Sequence, residues 1–178
     1  AQEAKLEEAQ IDRVTGLRNK DSGRAAVEKL MARRPRAQRD AMIFLDIDNF
    51  KGINDTFGHL DADRILTKLG AILKGNFRAT DVAARFGGDE FLVYMVAPES
   101  LQVVLDKAAR VLEAVRTIPA GGAKFLECSI GVAEVSGALR KFETAFHHAD
   151  EAMYQSKRSG KHRCSVYHRR KCGGTEKK

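Results

Sequence analysis

The apolar residues of this chain recur at two spacings, one typical of helices and the other of strands. Apolar positions three and four residues apart predict amphipathic helices around 25–31, 65–73, 101–115 and 142–153. Short apolar runs predict strands around 41–45, 82–84, 92–96, 125–133 and 164–167. The order βαββαβ, followed by one further α and β, predicts an α+β fold with a ferredoxin-like sheet and helices packed on it.

Two of the predicted strands meet at a pair of glycines, Gly87 and Gly88. A two-residue turn requires positive φ at both central positions, so the pair predicts a tight β-hairpin. The hairpin places two adjacent carboxylates, Asp89 and Glu90, at the start of an apolar strand. Paired acids in such a position are costly unless a cation or a chemical task compensates them. The alternative is a hairpin whose acids are simply solvated at its tip.

A second pair of acids follows the strand at 41–45. Asp46 and Asp48 are predicted to lie on one face of this strand and Ile47 on the other, because side chains alternate. Asp48 also has a purely structural explanation, in which its side chain caps the following turn. If this strand neighbours the hairpin, carboxylates from both converge at one edge of the sheet. Two or three hard oxygen ligands with open positions suit Mg²⁺, with Mn²⁺ as an alternative.

Three lysines extend this prediction from a metal site to phosphate chemistry. Lys51 lies on the turn after the strand, and Lys157 and Lys161 lie at a helix end, where they can neutralise phosphate charge. A positioned metal, cationic groups and an acid–base residue are the components of phosphoryl-transfer sites. The chain has no Gly-rich Walker loop, which argues against a P-loop enzyme.

Length and charge narrow the choice of protein class. A chain of 178 residues that is 43% hydrophobic predicts one well-buried domain. No apolar run reaches the roughly 18 residues of a membrane span, no signal peptide is recognisable, and three cysteines favour a reducing, cytoplasmic location. The formal charge of +7 suits nucleic acid, an anionic membrane surface or phosphate-bearing small molecules. An aromatic content of 7% without Trp argues against a stacking surface for nucleic acid.

The segment 85–91, Arg-Phe-Gly-Gly-Asp-Glu-Phe, resembles the signature of the GGDEF domains, the bacterial diguanylate cyclases. Other segments resemble further motifs of that family in order and spacing: 12–19, 46–51, 54–59, Asp63, 128–133 and 149–154. The departures are Val14, Lys20, Ala62 and Lys161. The resemblance covers residues 12–167 and implies a palm-type sheet like that of the nucleotidyl cyclases. Residues 1–11 are then expected to form an N-terminal linker helix, and residues 168–178 a basic, disordered tail.

The resemblance implies a role for each residue of the catalytic centre. Asp46, the backbone carbonyl of Ile47 and Asp89 are expected to bind Mg²⁺. Asp89 is also the family's proposed base for the ribose 3′-hydroxyl, with Glu90 as a rival. Lys51 is expected to steady the charge that develops on the transferred phosphate.

The resemblance also implies how the substrate, GTP, is held. Asn54 and Asp63 are expected to read the guanine edge, and His59 to help hold the substrate. Lys157 and Lys161 are expected to hold the triphosphate. Lys161 stands where the family commonly has Arg, so bidentate binding of phosphate is lost there.

A weaker pattern, Arg78-x-x-Asp81, precedes the signature. It resembles the family's inhibitory site, at which the product, cyclic di-GMP, binds. The alternative is an ion pair within a loop, three residues apart, which contributes little to stability.

Together these resemblances imply a diguanylate cyclase. It would join two GTP molecules into cyclic di-GMP and two pyrophosphates between two copies of the domain, as the cytosolic output domain of a larger sensor protein. The alternative is a catalytically inactive GGDEF module that senses GTP or cyclic di-GMP, although Asp46, Lys51, Asp89 and Glu90 are all in place. A mononucleotide cyclase or polymerase-like palm shares the carboxylates but is not supported by the guanine-reading or product-binding residues.

Overall fold

The structure, a computed structural model, describes residues 9–168. The described helices are α1 (Lys20–Arg33), α2 (Phe50–Phe57), α3 (His59–Asn76), α4 (Leu101–Val115) and α5 (Phe142–Arg158). The described strands are β1 (Asp40–Ile47), β2 (Val82–Arg85), β3 (Glu90–Met95), β4 (Cys128–Val135) and β5 (Cys164–Val166). In this part of the chain, no helix is long and apolar enough to cross a membrane.

The strands form one sheet in the order β2-β3-β1-β4-β5. Central strand β1 pairs antiparallel with both β3 and β4, and β5 adds to β4 in parallel. This arrangement confirms the predicted ferredoxin-like α+β fold with its additional helix and strand. All eight residues of β1 are buried, as the continuous apolar run predicted.

Helices cover both faces of β1, and its side chains point alternately to one face and to the other. Met42 and Phe44 pack in a cluster with residues of α1 and α5. Ile43, Leu45 and Ile47 pack in a second cluster with residues of α3 and α4. Asp46 therefore belongs to the α1/α5 face, and the end of β1 brings it towards the last turns of α5.

The segment 50–57 was expected to be a turn, but it forms the short helix α2. Phe50, Ile53 and Phe57 do recur at helical spacing, but the segment has only eight residues and contains Gly52. A pattern this short does not distinguish a helix from a turn. Gly58, with φ of 81°, ends α2 and starts α3. This left-handed conformation suits glycine and redirects the chain between the two helices.

The β2–β3 hairpin is confirmed, but the prediction of a two-residue turn is wrong. Register pairs Arg85 with Phe91, and four residues, 86–89, connect the strands. Neither Gly87 nor Gly88 has positive φ. The wider turn forms because the backbone N–H groups of Phe86 and Gly87 both donate to the carbonyl of Glu90, at 2.7 and 3.2 Å.

The predicted terminal segments lie largely outside the described residues. Of the linker helix predicted over 1–11, only residues 9–11 are described: Ala9 and Gln10 form a turn, and Ile11 pairs with Arg18. Of the predicted basic tail, only His168 is described, without regular secondary structure. The boundaries of the domain therefore remain predictions.

Candidate active site

The carboxylates predicted from two separate strands meet at one edge of the sheet. Asp46 of β1 is paired with Glu90 of β3 in the antiparallel register. The backbone N–H of Ile47 donates to the carbonyl of Asp89 at 3.0 Å. This bond joins the end of β1 to residues 86–89, which connect β2 to β3 and are called the signature loop below. The side chain of Asp46 is buried, whereas Asp89 and Glu90 are half-buried and open towards solvent.

Burial, and to a lesser extent neighbouring charges, raise the pKa of two of these acids, Asp46 and Glu90. The pKa of Asp46 is raised to about 6, chiefly by burial and further by the charges of Asp89 and Glu90, although Lys157 opposes the shift. The pKa of Glu90 is also raised, by burial and by the charges of Asp89 and Asp150. The negative charge at this edge is therefore incompletely balanced by the protein, as expected of a site that takes a cation.

The donor set fits a hard divalent cation. Asp46, Asp89 and the carbonyl of Ile47 offer the carboxylate and carbonyl oxygens that Mg²⁺ prefers. Within residues 9–168, no three or more His, Cys, Asp or Glu side chains are grouped so as to hold a metal by themselves. A cation here would complete its shell with the backbone carbonyl, water and substrate phosphates, which is how Mg²⁺ is usually bound.

The signature loop is held by Arg85, a role that the sequence interpretation missed. Its guanidinium donates from Nε to the carbonyl of Gly87 at 3.1 Å and from Nη2 to the carbonyl of Gly88 at 2.8 Å. Its Nη1 lies 3.3 Å from Oδ2 of Asp12. The N-terminal motif and the signature are thus joined directly. The sequence did contain an indication of this contact, since Asp12 and Arg85 both belong to recognised motifs.

Asp12 is itself fixed by the short turn that follows it. Its Oδ1 accepts hydrogen bonds from the backbone N–H of Thr15 at 2.9 Å and from the Thr15 hydroxyl at 2.7 Å. Burial acts to raise the pKa of Asp12, but the bonds from Thr15 and the charge of Arg85 outweigh it and lower the pKa. Asp12 therefore stays ionised and keeps Arg85 oriented towards the loop.

Phe86 anchors the other side of the signature loop. The residue is 9% exposed, and its ring stacks on Phe142 and Phe146 of α5, with centroid distances of 6.0 and 5.5 Å. It also meets Phe44 of β1 edge to face at 6.5 Å. The loop that carries Asp89 is thus tied both to α5 and to the central strand.

Of the three lysines predicted to bind phosphate, Lys157 contacts a carboxylate of the site. Nζ of Lys157, in the last turn of α5, lies 3.0 Å from Oδ2 of Asp46. Lys161 is exposed in the turn after α5, and Lys51 is exposed near the start of α2. Across the described part of the chain, neither Lys51 nor Lys161 forms an ion pair, so both ammonium groups are available to an anionic ligand.

Asp48 does not cap the following helix. The N-cap position of α2 is Asn49, which makes no side-chain capping bond. The buried carboxylate of Asp48 instead accepts the hydroxyl of Ser129 on β4 at 2.8 Å and the backbone N–H of His162 at 3.0 Å. The capping interpretation is therefore wrong, because long-range partners occupy both oxygens of Asp48.

The predicted guanine-reading residues lie on two consecutive helices. Asn54 is on α2, and His59 and Asp63 are exposed in the first turns of α3. The side-chain oxygen of Asn54 is buried and has no hydrogen-bond partner among residues 9–168. A buried acceptor without a partner is costly, so this oxygen is suited to a ligand that donates a hydrogen bond.

The pair Arg78 and Asp81 is connected through the backbone. Oδ2 of Asp81 accepts the N–H of Arg78 at 2.9 Å, and Oδ1 accepts the N–H of Val96 at 3.0 Å. In the described chain, the two side chains form no ion pair, so that alternative is not supported. Asp81 also lines an open cavity of about 730 Å³ between its loop and α1, together with Arg18, Lys29 and Arg33.

Comparison with known proteins identifies the family. The family "Diguanylate cyclase, GGDEF domain" matches residues 9–163. The chain belongs to the GGDEF family, as its signature, fold and carboxylate edge indicate.

Similar proteins are found by sequence and by structure. Diguanylate cyclase DgcP of Pseudomonas aeruginosa is 36% identical over 168 residues, covering 92% of this chain and 25% of the relative. Diguanylate cyclase DgcS of Shewanella oneidensis is 35% identical over 155 residues, covering 86% and 51% respectively. The chain thus spans between a quarter and half of these relatives. The GGDEF domain of DgcB from Caulobacter crescentus, solved in complex with c-di-GMP, superposes with a TM-score of 0.82 at 25% identity, covering 90% of this chain and 94% of that one.

Proposed function

We propose that this domain is a diguanylate cyclase, which condenses two GTP molecules into cyclic di-GMP and releases two pyrophosphates. The observation that carries the proposal is the pairing of Asp46 with Glu90 beside Asp89 at one edge of the sheet. The relatives' names support it, since both DgcP and DgcS are described as diguanylate cyclases. GTP is a cytosolic nucleotide, so we place the domain in the cytoplasm. We further propose that it is the output part of a larger protein.

In the proposed reaction, each ribose 3′-oxygen bonds to the α-phosphorus of the other GTP as the bond to pyrophosphate breaks. The hydroxyl proton passes to a carboxylate, either Asp89 or Glu90. The raised pKa of Glu90 makes that carboxylate a better proton acceptor than an ordinary one. Mg²⁺ held by Asp46, Ile47 and Asp89 would supply Lewis-acid stabilisation of charge on the phosphate.

The remaining residues of the site bind and orient the substrate. Within residues 9–168, Lys51 and Lys161 form no ion pair, and their ammonium groups can balance the charge of the transferred phosphate and of the triphosphate. The side-chain oxygen of Asn54, which has no partner among the described residues, can accept a hydrogen bond from the donor edge of guanine. Each domain binds one GTP, so the reaction requires a homodimer in which two domains face each other.

Product inhibition is the second part of this proposal. Arg78 is exposed, and the adjoining cavity is lined by the basic residues Arg18, Lys29 and Arg33. Guanidinium groups suit both phosphate and the acceptor edge of guanine. The DgcB domain was solved in complex with c-di-GMP, and we infer that cyclic di-GMP binds here through Arg78.

The test is to incubate the chain at high protein concentration with GTP and Mg²⁺ and to identify products by mass spectrometry. We expect cyclic di-GMP and pyrophosphate, with a specific activity that rises with protein concentration because two half-sites must meet. Asp89→Asn should lose roughly 10²–10⁴ in rate, through loss of a metal ligand and of a candidate base. If the wild-type chain binds GTP but forms no product at any concentration, the inactive sensor module is the correct interpretation.

A further inference from the structure

The turn that follows α5 has an unusual backbone. Gly160, Lys161 and His162 have φ values of 115°, 63° and 41°, so three consecutive residues are in the left-handed region. Only glycine adopts this region without cost, and a side chain held there must be constrained by its surroundings. Lys161, one of the two lysines proposed to hold the triphosphate, is therefore presented by a strained turn.

Two hydrogen bonds from the turn's backbone fix its shape. The N–H of Lys161 donates to the carbonyl of Ser156 at 3.0 Å, within the end of the helix. The N–H of His162 donates to Oδ2 of Asp48 at 3.0 Å, 114 residues away in the chain. The second bond is the stronger constraint, because its acceptor is a buried carboxylate that cannot move with the turn.

Asp48 is in turn fixed from the opposite side. Its Oδ1 accepts the hydroxyl of the fully buried Ser129 at 2.8 Å, and its own backbone N–H donates to the carbonyl of Glu127 at 2.9 Å. The carboxylate thus lies between β4 and the turn with both oxygens occupied. Each oxygen thus already accepts one bond from the protein, and the carboxylate is buried. These bonds give Asp48 a role in holding β4 and the turn together.

Asp48 also connects this turn to the edge of the sheet where Asp46, Asp89 and Glu90 meet. Two residues earlier in the chain, Asp46 contacts Lys157 at 3.0 Å. The chain at the end of β1 therefore makes two contacts: Asp46 contacts the last turn of α5, and Asp48 contacts the turn that follows α5. One contact places Lys157 against a proposed metal ligand, and the other shapes the turn that carries Lys161.

We propose that Asp48 is a positioning residue for the triphosphate. By accepting the N–H of His162, it holds the left-handed turn 160–162 and so keeps the Lys161 ammonium at a fixed place relative to Asp46. This inference rests on the proposed function, because the ligand of Lys161 is taken to be the triphosphate of GTP. Asp48 acts through Lys161 and does not touch the substrate.

The experiment is a double-mutant cycle on nucleotide affinity rather than on activity. Calorimetry would measure the binding, with Mg²⁺, of a GTP analogue with a methylene group between the α- and β-phosphorus atoms, and separately of GMP. Asp48→Ala and Lys161→Met should each weaken binding of the analogue by about tenfold, the effect of losing one charge-assisted bond. The double variant should be no weaker than Lys161→Met, and GMP affinity should be unchanged throughout.

Two further variants separate positioning from general damage. Asp48→Asn keeps an acceptor for His162, because the Ser129 hydroxyl can rotate to accept from the new amide, and its affinity should be close to that of the wild type. Asp106→Ala is the control and should change nothing, because Asp106 is an exposed acid on α4 whose one hydrogen-bond partner among the described residues is Gln102.

Several results would overturn the inference. If the losses from Asp48→Ala and Lys161→Met multiply in the double variant, Asp48 does not act through Lys161. An equal loss of GMP affinity would show that Asp48 is merely structural. Should Asp48→Ala not fold, Gly160→Ala strains the same turn from within, and unchanged affinity in that variant would refute the proposal. A wild-type chain that does not bind the analogue would instead contradict the proposed function itself.

Discussion

Nζ of Lys157 lies 3.0 Å from Oδ2 of Asp46, so a residue proposed to bind phosphate is paired with a residue proposed to bind metal. The Asp46 side chain is 10% exposed and that of Lys157 is 32% exposed. Without a cation, the ammonium is the nearest positive charge to this buried carboxylate. We therefore expect the proposed Mg²⁺ to compete with Lys157 for Asp46, and metal binding there to release Lys157 towards the triphosphate.

This competition predicts that Lys157→Met increases the affinity for a divalent cation when no nucleotide is present. Removing a partly exposed ion pair of this kind should strengthen Mn²⁺ binding by about two- to fivefold. The measurement is a Mn²⁺ titration followed by electron paramagnetic resonance. Lys161→Met is the matched control, because Lys161 forms no ion pair in the described chain and its loss should leave metal affinity unchanged. Weaker Mn²⁺ binding in Lys157→Met would mean that the lysine supports the metal site instead of competing for it.

The raised pKa of Asp46 predicts a specific pH dependence of stability in the metal-free protein. Because the pKa is about 6 in the folded state and 3.8 ordinarily, folding favours the protonated acid. That contribution is fully present below pH 3.8 and is lost as the pH rises through 6. Asp46→Asn cannot ionise, so its thermal midpoint relative to the wild type should improve between pH 4.5 and 7.5.

Thermal unfolding in the presence of a chelator would test this dependence. Added Mg²⁺ should stabilise the wild type more at pH 7.5 than at pH 5, since protons compete with the metal for Asp46. Asp46→Asn should respond weakly to Mg²⁺ at both pH values. A difference between variant and wild type that is constant across the pH range would show that Asp46 does not titrate there.

The sequence predicted the sheet and the carboxylate edge because both follow from local patterns. The apolar run before Asp46 identified a central strand, and register with β3 then brought Glu90 opposite that acid. The turn at Gly87 and Gly88 was predicted incorrectly, because its shape depends on Arg85, whose guanidinium binds both glycine carbonyls. Rules that predict turns from the residues of the turn alone do not take such a side-chain contact into account.

The interactions of Asp48 could not be predicted for a related reason. Its partners, Ser129 and His162, are 81 and 114 residues away, and their proximity depends on the pairing of β1 with β4 and on the path of the chain after α5. A local cap at the next helix was the simplest reading of an acid in that position. Only the assembled sheet shows that both oxygens are already used.

The geometry at Arg78 and Asp81 predicts different effects for the two residues. Arg78→Ala should weaken cyclic di-GMP binding by about 10- to 150-fold, since it removes a charged hydrogen-bond donor from an exposed site. Asp81→Ala should destabilise the fold by about 1–3 kcal/mol, because both of its oxygens accept backbone N–H groups. A loss of this size would lower the thermal midpoint by roughly 2–12 °C.

Calorimetry without GTP and thermal unfolding would distinguish these outcomes. Arg36→Ala is the control for Arg78, since Arg36 is an exposed arginine in the loop before β1. Arg78→Ala should fold with a normal thermal midpoint and bind cyclic di-GMP weakly. If the wild type and Arg78→Ala bind cyclic di-GMP with equal affinity, Arg78 does not contact the product.

The unpaired oxygen of Asn54 predicts a preference for guanine over adenine. Guanine presents N–H donors at N1 and N2, whereas adenine presents an acceptor at N1, so an adenine leaves this buried oxygen unsatisfied. The cost of about 1–3 kcal/mol corresponds to roughly 5- to 150-fold in relative binding. Asn54→Ala should therefore reduce the ratio of GTP to ATP affinity by a similar factor, chiefly through weaker GTP binding. Asp63→Ser should reduce the ratio further if both residues contact the base, and a ratio close to one in the unmodified domain would disprove both assignments.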